Sequence, residues 1–85
     1  MKKVKIYSTG SCPICVKAKA FLDKQVIDYD EVRIDLDREA MKEVSTVTHG
    51  ARTVPQIVVD GRWIGGFTEL TELHMDGGLD HLISP

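Results

Sequence analysis

Cys12 and Cys15 are the only cysteines among 85 residues, and their type and spacing suit one kind of chemistry above others. A thiolate attacks a disulfide sulfur, and a second thiol nearby resolves the mixed disulfide that results. Three other uses for the pair fit less well. As a staple, a bridge between them closes a loop of about four residues, which the chain-entropy model values at about 2 kcal/mol against more than 4 for a long loop. A secreted disulfide scaffold would also carry more cysteines, spread along the chain. As a zinc site, C-x-x-C supplies half a tetrahedron, but His49, His74 and His81 stand in no matching partner spacing, so no metal is expected. As inert core cysteines, the pair would not call for Pro13 between them or the glycine-containing loop Thr9-Gly10-Ser11 before them. A reactive dithiol is what remains.

The elements that must position it are legible on both sides. From Lys3 to Ser8, Val4 and Ile6 alternate with polar residues, as in a strand, and Thr9-Gly10-Ser11 breaks that pattern. A helix is predicted over Pro13 to Lys24, because proline suits the first helical position, where its missing N–H is no loss. Ile14, Ala18, Phe21 and Leu22 form its expected inward stripe. Cys12 then lies at the helix N-terminus, where free backbone N–H groups and the helix dipole favour an anion. A C-x-x-C thiol whose pKa falls there from about 8.5 to near 5 goes from about 3 % thiolate at pH 7 to nearly all. Nucleophilicity per thiolate drops with pKa, but the gain in population and leaving ability outweighs that loss. Cys15, three residues on, shares a helix face with Cys12 and sits deeper, so it is the expected resolving thiol, less solvated and slower to ionise.

Further along, Tyr29 to Leu36 alternates Val32, Ile34 and Leu36 with Glu31, Arg33 and Asp35, which reads as a half-buried strand. Asp37 is the expected N-cap of a second helix over Arg38 to His49, with Ala40, Met41, Val44 and Val47 inward and Gly50 ending it. Gln56 to Val59, Asp60-Gly61 and Arg62 to Ile64 form an expected hairpin, since Asp-Gly suits the positive φ angles of a type I′ turn. Leu70, Leu73, Leu79 and Leu82 pack down a last helical stretch that Gly77-Gly78 interrupts. The order βαβα-ββα makes an α/β fold: a four-stranded mixed sheet between helical layers, the thioredoxin-like arrangement, with residues 1–85 as a single domain.

Two further segments have chemistry to offer. Thr53-Val54-Pro55 precedes a strand; the proline either begins that strand in trans or takes the cis form, which would turn the Val54 N–H and C=O toward an extended ligand beside Cys12. Gly65-Gly66-Phe67-Thr68-Glu69 leads into a helix N-terminus. It reads either as a plain cap or as a carboxylate site in which Glu69 adds a charge for an amine.

Composition sets the outer limits. Apolar residues are 42 % and charged residues 28 % of the chain, ordinary globular usage that argues against disorder and fibrous repeats. So small a domain buries only about 60 % of its unfolded surface, so its chemistry is expected at the surface rather than in a large enclosed cavity. Residues 1 to 27 hold six lysines against Asp23, a net of +5, and the remainder carries −7, giving the overall −2. No arginine cluster interleaves with aromatics, so nucleic-acid binding has little support. The apolar run behind Met1-Lys2-Lys3 stops at Tyr7, too early for a signal peptide, and no stretch approaches membrane-spanning length. A cytoplasmic protein without a membrane partner is expected.

Together these segments resemble the glutaredoxin family over almost the whole chain: Tyr7-Ser8, Cys12-Pro13-Ile14-Cys15-Val16-Lys17-Ala18-Lys19, Thr53-Val54-Pro55-Gln56-Ile57, Asp60-Gly61 and Ile64-Gly65-Gly66. The resemblance implies glutathione as co-substrate, with no tightly bound cofactor, and Cys12 as carrier of the mixed disulfide. It implies that Thr53, Val54 and Pro55 meet the glutathione backbone, and that Gly66, Thr68 and Glu69 meet its γ-glutamyl end. Arg52, with Lys42 as a weaker candidate, would meet its glycine carboxylate. Its implied partners are oxidised or glutathionylated proteins and, indirectly, glutathione reductase with NADPH; a monomer is expected. The family usually has tyrosine at the position of Ile14, lysine at that of Thr9 and aspartate at that of Glu69, so this chain lacks one hydroxyl and one cation near the site. Two rival functions share the fold: a redoxin reduced directly by thioredoxin reductase, toward which Trp63 and Phe67 lean, and a glutathione-ligated [2Fe-2S] carrier, against which Pro13 speaks.

Overall fold

A computed structural model describes residues 3–83; Met1 and Lys2, from the lysine-rich start, lie outside them. The elements run β1 (Val4–Ser8), α1 (Pro13–Lys24), β2 (Tyr29–Arg33), α2 (Arg38–Val47), β3 (Gln56–Val59), β4 (Arg62–Gly65), α3 (Phe67–Met75) and α4 (Gly78–Ile83). The sheet order is β2-β1-β3-β4. β1 pairs parallel with β2 and antiparallel with β3, and β3 pairs antiparallel with β4. This is the thioredoxin-like fold.

Side-chain alternation along β1 divides the interior in two. Val4 and Ile6 join Ala18 and Leu22 of α1, Leu70 of α3 and Leu79 of α4 on one face of the sheet. Tyr7 points to the other face, where Val44 of α2 and Val58 cover it, with Val32, Ile34 and Val47 packed alongside. Glu43 ties α2 to this face by accepting from the Tyr7 hydroxyl and the Lys5 ammonium. Burial, and then Glu43, push the Tyr7 phenol well above its ordinary range. The phenol therefore stays a hydrogen-bond donor.

Where the structure departs from the sequence pattern, local hydrogen bonds give the reason. β2 stops at Arg33 instead of running to Leu36. The Ile34 N–H still donates to the Ser8 carbonyl, but the Leu36 N–H turns back to the Arg33 carbonyl, leaving Leu36 exposed. Asp35 is drawn out of the strand by the Arg33 guanidinium and the Gly10 N–H, both donating to its carboxylate. This contact fastens the loop ahead of Cys12 to the end of β2. In α1 the inward residue near the start is Cys15, and Ile14 is 43 % exposed. Asp37 caps α2 by accepting from the Glu39 N–H, while Met41 faces solvent.

α2 ends at Val47, two residues earlier than the sequence suggests. His49, with φ +56°, turns left-handed one residue ahead of Gly50, which itself has φ +92°, and the Gly50 N–H reaches back to the Ser45 carbonyl. α1 ends in the same way. Val26 has φ +57°, and the Ile27 and Val26 N–H groups donate to the Leu22 and Asp23 carbonyls, the paired bonds of a Schellman closure. A β-branched residue is poorly suited to that conformation, and Val26 is 87 % exposed, so its side chain gains little from packing. Val26→Gly is therefore expected to stabilise the fold by about 1 kcal/mol, a midpoint rise of about 4–8 °C. Thermal unfolding checks this, and a fall in the midpoint would mean that the valine side chain matters more than its backbone strain.

Candidate functional site

The site is built where β1 hands over to α1. Cys12 has extended backbone angles, φ −111° and ψ 104°, and occupies the N-cap of α1. Its Sγ accepts the Cys15 N–H at 3.1 Å, so sulfur does what a serine or aspartate oxygen does at other helix starts. The Val16 N–H donates to the Cys12 carbonyl and closes the first turn. Pro13 follows directly, with no N–H to leave unpaired. Both cysteines are free thiols, Cys12 half-buried and Cys15 1 % exposed. Burial foremost, and the neighbouring Cys12 sulfur next, push the Cys15 thiol up; a Thr9 backbone N–H, and to a lesser extent Lys19, act in the opposite sense. The protein thus presents one accessible sulfur and keeps the other protonated beneath it.

The second wall is the segment before β3. The Val54–Pro55 peptide bond is cis, the form that the sequence left open. The Cys12 thiol lies 3.6 Å from the Val54 carbonyl oxygen, so the Val54 backbone borders this sulfur. Pro55 is buried, Val54 is half-buried, and Arg52 and Thr53 are exposed. Two shallow grooves run along this segment and share Ala51 and Thr53 as walls. One, of about 380 Å³, is completed by Gln56, Trp63, Ile64, Gly65, Gly66 and Glu69. The other, of about 350 Å³, is completed by Ile34, Met41, Val44, Ser45, Gly50 and Arg52.

Four of the residues singled out from the sequence line these grooves, while Cys12, Val54, Pro55 and Thr68 line neither. Arg52 lines one, Gly66 and Glu69 the other, and Thr53 both. Lys42 lines neither, since the neighbouring Met41 takes the wall position. Thr68 is exposed at the start of α3, and its carbonyl accepts the Thr71 hydroxyl. The Glu69 carboxylate accepts the Gly66 N–H at 2.7 Å, which makes it a cap of its own helix. One carboxylate oxygen of Glu69 is thereby engaged in capping.

Gln56 is a functional neighbour that sequence reasoning passed over. It is 4 % exposed, and its amide N–H₂ donates to the Thr53 carbonyl at 2.9 Å and hydroxyl at 3.3 Å. Its amide oxygen accepts the Trp63 indole N–H at 2.8 Å. A chain of side chains from β4 therefore fixes the backbone beside Val54. A glutamine opening an otherwise apolar strand was the available signal, because a buried amide must find partners.

Among the described residues, no group of three or more histidines, cysteines, aspartates or glutamates is arranged to hold a metal, and no helix is long and apolar enough to cross a membrane.

An accessible cysteine capping α1, a buried cysteine one turn in, and a backbone wall across from them define a thiol redox protein of the thioredoxin-like class. A family model described as glutaredoxin matches residues 4–64. Glutaredoxin 1 of Rickettsia typhi is 42 % identical over 79 residues, covering 92 % of this chain and 76 % of that protein. A Neisseria meningitidis glutaredoxin is 40 % identical over an alignment of 86 positions that spans both chains completely. Among solved structures, the dithiolic glutaredoxin of Trypanosoma brucei brucei superposes with a TM-score of 0.83 at 32 % identity, covering 98 % of this chain and 88 % of that one. A buckwheat glutaredoxin–glutathione complex gives 0.84 at 26 % identity, covering 98 % and 77 %. The chain belongs to the glutaredoxin family, and with it to the thiol oxidoreductases.

Proposed function

We propose that this protein is a glutathione-dependent thiol–disulfide oxidoreductase that reduces protein disulfides and protein–glutathione mixed disulfides through Cys12 and Cys15. The observation that carries the reading is the pairing of an accessible Cys12 sulfur, capped by the Cys15 N–H, with a buried Cys15 whose thiol holds its proton. Cys12 attacks as the thiolate; a Cys12–glutathione bond forms, the substrate disulfide breaks, and the protein thiolate leaves and takes a proton from solvent. A second glutathione then attacks the mixed disulfide and frees Cys12. With a protein disulfide, Cys15 attacks instead, closing the internal disulfide while the client leaves reduced.

The two grooves beside Val54 support the binding half of the reading. An extended tripeptide pairs with the Val54 backbone, its γ-glutamyl end reaches Gly66, Thr68 and Glu69, and its glycine carboxylate reaches Arg52. The glutathione complex of the buckwheat relative supports the choice of ligand. The whole chain works as one domain in the cytoplasm, recharged through the glutathione pool by glutathione reductase and NADPH.

Cys15→Ser tests the division of labour. The variant is expected to retain deglutathionylation of a glutathionylated peptide and to lose reduction of protein disulfides that need the internal bridge. If Cys15→Ser were inactive on the glutathionylated peptide, the two roles would be reversed.

A further inference from the structure

Cys15 has to lose its proton in a buried position before it can close the internal disulfide, and the groups that surround it are few. Cys12 lies on one side, a Thr9 backbone N–H is near, and Lys19 favours the thiolate through its charge, the smallest of these influences in the reduced protein. Lys19 stands four residues on in α1, so the two side chains share a helix face with Cβ atoms about 5–6 Å apart. Lys17, two residues on, points elsewhere.

Lys19 is not left to wander. Its ammonium donates to Glu31 Oε2 of β2 at 2.9 Å, with the two side chains 26 % and 31 % exposed. The same oxygen accepts the hydroxyl of Ser8 at 2.6 Å, and Ser8 is fully buried at the end of β1. Three elements therefore converge on a single carboxylate oxygen. Ser8, and then Lys19, hold the Glu31 carboxyl below its usual range, with Arg33 adding to the effect, so Glu31 stays charged at neutral pH. Tyr29 of β2 also faces Lys19, and its phenol is raised, burial being the main cause, which keeps it neutral there.

We propose that Lys19, anchored by Glu31 and Ser8, is the positioning cation of the resolving step, offsetting the negative charge that forms on Cys15 as the internal disulfide closes. The inference rests on the dithiol reading above and adds a residue to it. In the step itself the Cys15 sulfur bonds to the Cys12 sulfur, the bond from Cys12 to the glutathione sulfur breaks, and its electron pair leaves on glutathione. The Cys15 proton passes through solvent to that departing thiolate. Lys19 keeps its own proton throughout and acts only through its charge.

The test is rapid mixing of the reduced full-length protein with glutathione disulfide, followed by acid quenching and mass analysis across a range of pH. Lys19→Met is expected to slow conversion of the mixed disulfide to the internal disulfide about three- to tenfold at pH 7 and to move the pH midpoint of closure up by about 0.5–1 unit. Lys19→Arg, which keeps the charge, should restore both. In a Cys15→Ser background, where no closure occurs, Lys19→Met should leave the rate of deglutathionylation unchanged. Closure with the same rate and pH profile in Lys19→Met, or an equal loss in the Cys15→Ser background, overturns the assignment. A wild-type protein that never closes the bridge overturns the dithiol reading along with it, an outcome distinct from closure that ignores Lys19.

Discussion

Cys12→Ser is expected to abolish turnover with every disulfide substrate, by at least about a thousandfold, while leaving the fold in place. A serine hydroxyl can accept the Cys15 N–H as the sulfur now does at 3.1 Å, since serine is a favoured N-cap residue, so α1 keeps its start. What disappears is the nucleophile: an alcohol at neutral pH is not ionised and forms no disulfide. The residual thiol, Cys15, cannot stand in. It is 1 % exposed and its thiol is held protonated, so neither access nor ionisation favours it. The measurement is glutathione-coupled reduction of a small disulfide and of a glutathionylated peptide, beside a circular-dichroism melt of the same sample. Retained activity in a variant that melts like the wild type would move the reactive sulfur elsewhere and with it the whole proposed cycle.

That contrast between two sulfurs was largely open to sequence reasoning, because it depends on local rules. Proline at the first helical position fixes where α1 starts, and the start fixes which cysteine caps and which is carried inward. The Asp60-Gly61 hairpin was equally local: both residues have positive φ, 52° and 85°, as the turn requires. The phase of α1 was harder to read, since Ile14, Cys15 and Val16 are consecutive apolar residues and periodicity alone does not say which faces in; the sheet chose Cys15. The ends of both long helices were obscured for another reason. Val26 and His49 take left-handed positions that composition assigns to glycine, and only the returning N–H groups of Ile27 and Gly50 reveal it. Least legible were the long-range arrangements. Gln56 meets Thr53 and Trp63, and Glu31 meets Ser8 and Lys19, only after the strands are in register, so a glutamine opening an apolar strand signals that it needs partners without naming them, and Glu31 carries no such signal.

Gly65→Ala carries the second large effect and links fold stability to the groove. Gly65 ends β4 with φ +130°, a conformation that L-residues rarely adopt. A Cβ built there would lie 2.7–2.8 Å from Cγ, Cβ and Oε1 of Glu69. A change of rotamer can carry Cγ and Oε1 away, but the Glu69 Cβ is fixed by the backbone of the first turn of α3, so the backbone there must shift as well. The change of rotamer releases the Gly66 N–H that the carboxylate now accepts at 2.7 Å. Backbone strain of about 1–3 kcal/mol and a lost cap of about 0.5–2 kcal/mol combine to a destabilisation of about 2–4 kcal/mol. For a chain of this size each kcal/mol lowers the melting midpoint by about 4–8 °C. The same displacement deforms the wall formed by Gly65, Gly66 and Glu69, so the KM for glutathione should rise in the variant well below its melting temperature. Glu69→Ala isolates the cause. If the clash runs through the Glu69 side chain, Gly65→Ala costs less stability in that background than in the wild type, by about the worth of the cap. Equal losses in the two backgrounds would assign the whole effect to the Gly65 backbone and leave Glu69 without a part in it.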